Sequence, residues 1–247
     1  MAEPIHPYLE FLAGATARHA RIIDLSHAID ANLPQWPGDR QVFGIHTESS
    51  IEKDGCFTRS FSMLEHYGTH LDAPAHVVPH GMAVDEIPSE RLAGPAVVLD
   101  ARDAVAADAD YALAASQIER WEAAHGLLPA GGIVLLRTGW ASRWADAAAY
   151  ANSDAAATMH FPGFGADAVR ILIERHAVGI GIDTMSVDPG NSRDFPVHQL
   201  ALQAGLYQIE NLADLSGLPE AGALLLVAPM KLKGGSGAPC RVFAILP

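Results

Sequence analysis

Residues 66–76 read HYGTHLDAPAH, and those able to bind a cation or move a proton fall at 66, 70, 72 and 76. With His80, the stretch 66–80 holds four of the chain's 12 histidines. His66, His70, Asp72 and His76 all carry even numbers, so in an extended segment their side chains leave one face. Gly68 and Pro74 sit between them on that face: the glycine leaves space for a ligand, the proline stiffens the turn, and both argue against a long helix. Imidazole nitrogens and a carboxylate suit zinc, or manganese and iron if more oxygen ligands join. Neutral imidazoles and one anion hold a dication without quenching its Lewis acidity, and leave open positions for water. A solvated loop or a core position is the plainer reading of any single histidine. Random sequence seldom supplies four ligand-type residues in one register, so a metal site is the expectation here.

The elements around the cluster must bring further ligands to it. Residues 7–20 start at a proline and space their apolar residues as a helix does, with Gly14 weakening the pattern. RIIDLS from residue 21 reads as a short strand, and ANLPQWPGDR as a loop by its prolines and glycine. Residues 41–48 and 56–64 read as strands; in the second, Phe57, Arg59, Phe61 and Met63 share one face. PAVVLDA, GGIVLLRT, AVGIGIDT, ALLLVAP and CRVFAILP are apolar runs of buried strands. Helices are expected over 116–126, where Ser116 and Glu119 have capping-box spacing, over 165–177, and over 197–204, closed by Gly205. Residues 101–116 and 141–157, rich in alanine and aspartate, read as loops or surface helix. Strands and helices alternate irregularly, which makes the class mixed α/β.

Composition bounds the function. With 247 residues, 49% of them hydrophobic, the chain fills one large core. Its formal charge of −13 argues against nucleic acid and against anionic membrane surfaces as partners. Cys56 and Cys240 are far apart with no CxxC, which argues against a thiolate zinc site. No apolar run approaches the roughly 20 residues of a membrane span, and MAEPIHPYLEF has no basic leader pattern; the expected compartment is the cytoplasm.

His66-x-Gly68-Thr69-His70-x-Asp72-x-Pro74-x-His76 resembles the signature of the cyclase family of metal-dependent hydrolases, whose members include bacterial kynurenine formamidase and isatin hydrolase. LPQWPGD (33–39) resembles that family's tryptophan-containing substrate loop. GIGIDTMSVD (179–188) and HQLALQAGLYQIENL (198–212) resemble further family blocks, and APMKLKGGSGAPCRVFA resembles the isatin-hydrolase-like branch more than the shorter formamidases. The resemblance runs from about residue 21 to the end, leaving residues 1–20 as an N-terminal helical extension before one catalytic domain, 21–247. It implies a swivelling β/β/α domain with a mixed sheet, a homodimer or homotetramer, and one or two Zn2+ or Mn2+ ions. It assigns His66, His70, Asp72, His198 and Glu210 to the metal, with Asp72 bridging where there are two ions. It makes His76 the general acid/base and places Trp36 in the substrate pocket.

Glu210 supports the assignment separately, because a carboxylate in the apolar stretch LYQIENLADL needs a partner. GGSGAP (234–239) nearly matches a nucleophile elbow, but Ala238 and Pro239 break it and no histidine follows Ser236. The glycines there are read as letting backbone N–H groups approach a bound oxygen, with Ser236 bonding substrate or a relay water. His80 reads as a surface residue, His160 as a loop residue, and Asp183 and Asp188 flank a strand end where functional loops often lie. His27, His125 and His176 sit in ordinary contexts. The expected activity is hydrolysis of a C–N amide bond in a small aromatic cyclic amide or aryl formamide. The alternatives are a metal-dependent cyclase or lyase acting on a hydroxylated carbonyl compound, and a non-catalytic metal-binding module, whose coordination would be closed.

Overall fold

The computed structural model describes residues 21–38 and 43–246. The expected helix over 7–20, and with it the N-terminal extension, lies outside the described residues. Twelve strands follow in order: β1 (Arg21–Asp24), β2 (Gly44–Ser49), β3 (Thr58–Ser62), β4 (His70–Asp72), β5 (Ala93–Asp100), β6 (Ala112–Leu113), β7 (Ile133–Arg137), β8 (Gly163–Phe164), β9 (Gly179–Ile182), β10 (Tyr207–Glu210), β11 (Ala223–Pro229) and β12 (Gly237–Leu246). Seven of them pair in the order β12-β11-β5-β7-β9-β10-β4, and β4 pairs back onto β12, so the sheet closes on itself. β1 adds to the outer side of β12. The four strands β5, β7, β9 and β10 run parallel, and the pairings of β4, β11 and β12 are antiparallel. This is a mixed α/β fold with a core built mostly of sheet, the class the sequence indicates.

Inside the closed sheet, Leu71, Val98, Leu135, Tyr207, Ile209, Leu225, Ala238 and Val242 form one core. The opposite faces of the same strands carry Val97, Val134, Leu136, Ile180 and Ile182, which pack against Ile118, Trp121, Val169, Leu172 and Val197 from the covering helices. Those helices are Ala115–His125, Ala166–Glu174 and Pro196–Gln203. Strands buried on both faces need apolar residues at every position, which is why they appear in the sequence as continuous rather than alternating runs.

Two expectations are corrected. The capping box at Ser116 and Glu119 does not form: the helix begins one residue earlier, at Ala115, with no side-chain cap from Ala114. The carboxylate of Asp167 accepts from the Ala115 N–H instead, at 3.0 Å, so a tertiary contact replaces the local one. The stretch 66–76 is not one extended segment. Gly68 adopts φ +65, only His70–Asp72 is strand, and Pro74–His76 is a 3-10 turn. The stretch after Gly205 contains β10, four residues that pair with both β9 and β4 and that strand periodicity alone does not reveal. Residues 101–116 and 141–157 contain the short helices Arg102–Ala107 and Ala147–Ala151. β2 and β3, the strands expected within 41–48 and 56–64, pair antiparallel, with Ile45 opposite Phe61 and Thr47 opposite Arg59.

Candidate metal centre

β4 carries the middle of the motif. Its alternation sends Leu71 into the core and His70 and Asp72 to the other face. Across the antiparallel pairing with β10, Glu210 lies directly opposite His70 and Gln208 opposite Asp72. Cross-strand partners stand close enough for their side chains to meet, so strand register alone sets the Glu210 carboxylate beside the motif. The helix Pro196–Gln203 brings His198 from above, and its first turn is tied down by Asp188. That carboxylate accepts from the N–H of Val197 at 2.9 Å, from the N–H of His198 at 3.0 Å and from His198 Nδ1 at 2.7 Å.

The tight turn at Gly68 connects His66 to β4 and presents its own carbonyl to the His70 Nδ1–H at 2.9 Å. Asn211, itself at φ +55, donates its amide to the same carbonyl at 3.0 Å, and its backbone oxygen accepts from the Thr69 hydroxyl at 2.6 Å. The 3-10 turn then swings His76 back over the motif, with its ring centroid 4.1 Å from that of His66 and 6.0 Å from that of His198.

These contacts fix which nitrogens face inward. His70 and His198 each have Nδ1 committed as a donor, to Gly68 and to Asp188, so in the neutral ring Nε2 carries a lone pair. His70 Nε2 lies 3.2 Å from Asp72 Oδ1 and 3.5 Å from Glu210 Oε2. His198 Nε2 lies 3.5 Å from Asp72 Oδ2 and 3.3 Å from Glu210 Oε1. His70, Asp72, His198 and Glu210 are 4%, 1%, 7% and 5% exposed. Two buried carboxylates thus face two imidazole lone pairs, an arrangement that repels itself until a cation or added protons enter. The proton affinities follow from this. Burial opposes charge on His70, but Asp72 and Glu210 outweigh it and lift its pKa to about 9. Burial likewise opposes charge on His198, and Asp188, Asp72 and Glu210 raise its pKa well above the usual histidine range. The donor set, two imidazoles and two carboxylates, suits a divalent cation.

Two groups of side chains offer converging ligand atoms, each within 4.8 Å of one another: His70 with Asp72 and Glu210, and His66 with Asp72 and His76. Asp72 is common to both. The centre lies at the floor of a cavity of about 640 Å³, which His66, His70, Asp72, His76, His198 and Glu210 all line. Trp36 and Ser236 line it too, so every residue assigned to the site from the sequence meets in one place. Trp36 packs at 5.9 Å from Phe195, whose φ of +45 is strained for a residue with a Cβ. His76 lines the cavity and keeps solvent access, yet the protein packed around its ring disfavours the charged form and lowers its pKa.

The remaining candidates lie elsewhere. His80 is exposed at the surface, and His160 pairs with Asp110 and Asp154 outside the cavity. Asp183 is buried and accepts from the N–H and hydroxyl of Thr138 at 3.0 and 2.6 Å, which anchors a loop and touches no ligand. Asp188, by contrast, acts on the site through His198. Gly237 serves packing, since a Cβ there would collide with the His66 ring, whereas Gly234 supplies a left-handed turn at φ +71. Glu65, Asn211 and Phe195 are cavity residues that the sequence did not single out. The only local signals were a carboxylate next to His66 and a polar residue next to Glu210.

The sequence profile of the family described as putative cyclase matches residues 23–189. An isatin hydrolase from Roseibium aggregatum is 35% identical over 242 residues, 92% of each chain. A kynurenine formamidase from Salinibacter ruber is 30% identical, over 89% of this chain and 95% of its own. The solved isatin hydrolase A of Ralstonia solanacearum superposes with a TM-score of 0.89 at 37% identity, covering 100% of both chains. A family profile spanning residues 23–189, with relatives aligned along nearly their whole lengths, shows that this chain belongs to the putative cyclase family.

Proposed function

We propose that the protein is a metal-dependent hydrolase of a C–N amide bond in a small aromatic cyclic amide or aryl formamide. The observation that carries this is the convergence of two buried carboxylates and two imidazole lone pairs beneath an open cavity with aromatic walls. The relatives support the substrate class, since one is named for hydrolysing isatin and the other for a formamide of kynurenine; both names describe an acyl carbon bonded to an aryl nitrogen.

His66, His70, Asp72, His198 and Glu210 would hold one or two divalent ions, zinc or manganese. The ion supplies a Lewis acid for the carbonyl and lowers the pKa of attacking water. The chain's own residues do the rest. Trp36 and Phe195 flank the flat substrate and exclude water from its faces. His76, at the open side of the centre, delivers a proton to the departing nitrogen, a task suited to an imidazole at neutral pH.

The test is elemental analysis of protein purified without chelator or nickel, followed by a screen of aryl lactams and aryl formamides with zinc or manganese supplied. Turnover in ¹⁸O-water should place label in a new carboxylate. Product without label would favour the cyclase or lyase reading, and protein that binds neither metal would overturn the proposal.

A further inference from the structure

His66 differs from the other two candidate ligands of its type. His70 and His198 have Nδ1 committed outward and Nε2 facing the carboxylates. His66 is turned the other way: Nδ1 lies 2.6 Å from Asp72 Oδ1, and Nε2 lies 3.0 Å from Ser236 Oγ. In the metal-free centre Asp72 competes for a hydrogen on Nδ1, but a cation bound beside Asp72 would need the Nδ1 lone pair, and the ring hydrogen would then lie on Nε2, where Ser236 must receive it. Its hydroxyl has one hydrogen and two candidate acceptors, the His66 ring at 3.0 Å and Glu65 Oε2 at 2.7 Å. Glu65 Oε2 also accepts from the Ser236 backbone N–H at 2.8 Å, which locks the carboxylate against this residue. The nearer and ionic acceptor takes the hydrogen. Ser236 Oγ is then left with lone pairs towards His66 and can only accept from an Nε2–H.

We propose that Glu65 is a positioning residue that acts through the Ser236 hydroxyl to hold His66 in its Nε2–H form, so that Nδ1 is the atom offered to the metal beside Asp72. This rests on the metal-dependent reading above and adds to it a residue and a ligand atom. Gly237 completes the arrangement, because the ring lies against its Cα where any Cβ would collide. The centre is thus held from outside by three separate acceptors, Gly68 O for His70, Asp188 for His198, and the Glu65–Ser236 pair for His66.

The experiment is zinc titration of the full-length apoprotein, comparing wild type with Glu65→Ala, Glu65→Gln, Ser236→Ala and the Glu65→Ala/Ser236→Ala double variant. Loss of an outer partner of a metal ligand typically weakens affinity by about 10–100-fold, and that is expected for Glu65→Ala and for Ser236→Ala. If Glu65 acts through Ser236, the double variant is no weaker than the worse single. Glu65→Gln, whose amide oxygen still accepts the hydroxyl hydrogen, stays within a few-fold of wild type. Long-range ¹H–¹⁵N spectra of the zinc-loaded wild type should show His66 ligated through Nδ1 and protonated at Nε2, the reverse of His70 and His198. Unchanged affinity in Glu65→Ala, additive losses, or His66 ligated through Nε2 would each overturn the inference while leaving the metal site standing. A wild type that binds no zinc overturns both.

Discussion

Each side chain at this centre is defined by what its far side bonds to. Among the described residues none hydrogen-bonds the His76 ring, which suits a group that must give and take a proton. His76→Ala should therefore leave metal content unchanged and lower kcat by about 10²–10⁴; equal activity in the variant would remove His76 from the chemistry. Asp188 makes the opposite case. It touches no ligand position but holds His198 through Nδ1 at 2.7 Å. Asp188→Ala frees that ring and uncaps the helix start, and is expected to cost about 10–100-fold in metal affinity, measurable by competition with a chelating dye. Affinity equal to wild type would show that His198 needs no support.

At the scale of elements, β4 is three residues long yet carries two candidate ligands, and it is rigid because β10 and β12 flank it. Leu71 pins it to the core with no exposure. Leu71→Ala should destabilise the protein by about 2–5 kcal/mol, read as a lower midpoint in urea. It should also weaken metal binding, since the strand that loses its anchor is the strand that holds His70 and Asp72. Stability lost with metal affinity intact would mean that the pairing alone positions the ligands. The Asn211 contacts belong to the same scale: one residue in a left-handed conformation ties the end of β10 to the turn before β4, joining the Glu210 and His70 segments.

For the whole molecule, the proposed metal binding would be linked to folding. The buried carboxylates and lone pairs repel in the apoprotein, so zinc at 100 times its dissociation constant should add about 2.7 kcal/mol to stability, seen as a rise in the thermal midpoint that chelation reverses. Acid acts through a different residue. His27 stacks on Trp144 with ring centroids 3.8 Å apart, and its Nε2 is buried without a hydrogen-bond partner. Burial lowers its pKa to about 4, whereas the unfolded chain takes up the proton at about 6.5. The unfolded state then binds more protons between these values, so the His27 contribution is complete above about pH 6.5 and is lost as pH falls towards 4. Apoprotein stability measured across that window should decline less steeply in His27→Phe than in wild type; an identical slope would exclude His27 as the source. The acidic surface, net −13, sets solubility and leaves the chemistry to the cavity.

Much of the site was legible in the sequence because its ligands are grouped and unusual. The spacing of His66, His70, Asp72 and His76, a carboxylate stranded in an apolar stretch at Glu210, and the apolar runs of the doubly covered strands are all local signals. They indicated a mixed α/β fold and a candidate metal centre, to which the family resemblance added His198 and Trp36. The tertiary structure decided what depends on chain segments meeting: that the motif is a turn, a three-residue strand and a 3-10 turn rather than one extended face; that β10 pairs in the register that sets Glu210 opposite His70; and that Asn211 and Ser236 bond to the motif while Asp188 holds His198 and Glu65 holds Ser236. A side chain's type fixes how many hydrogen bonds it can make, but only the packed chain fixes with whom, and it is those partners that choose which nitrogen of each histidine faces the centre.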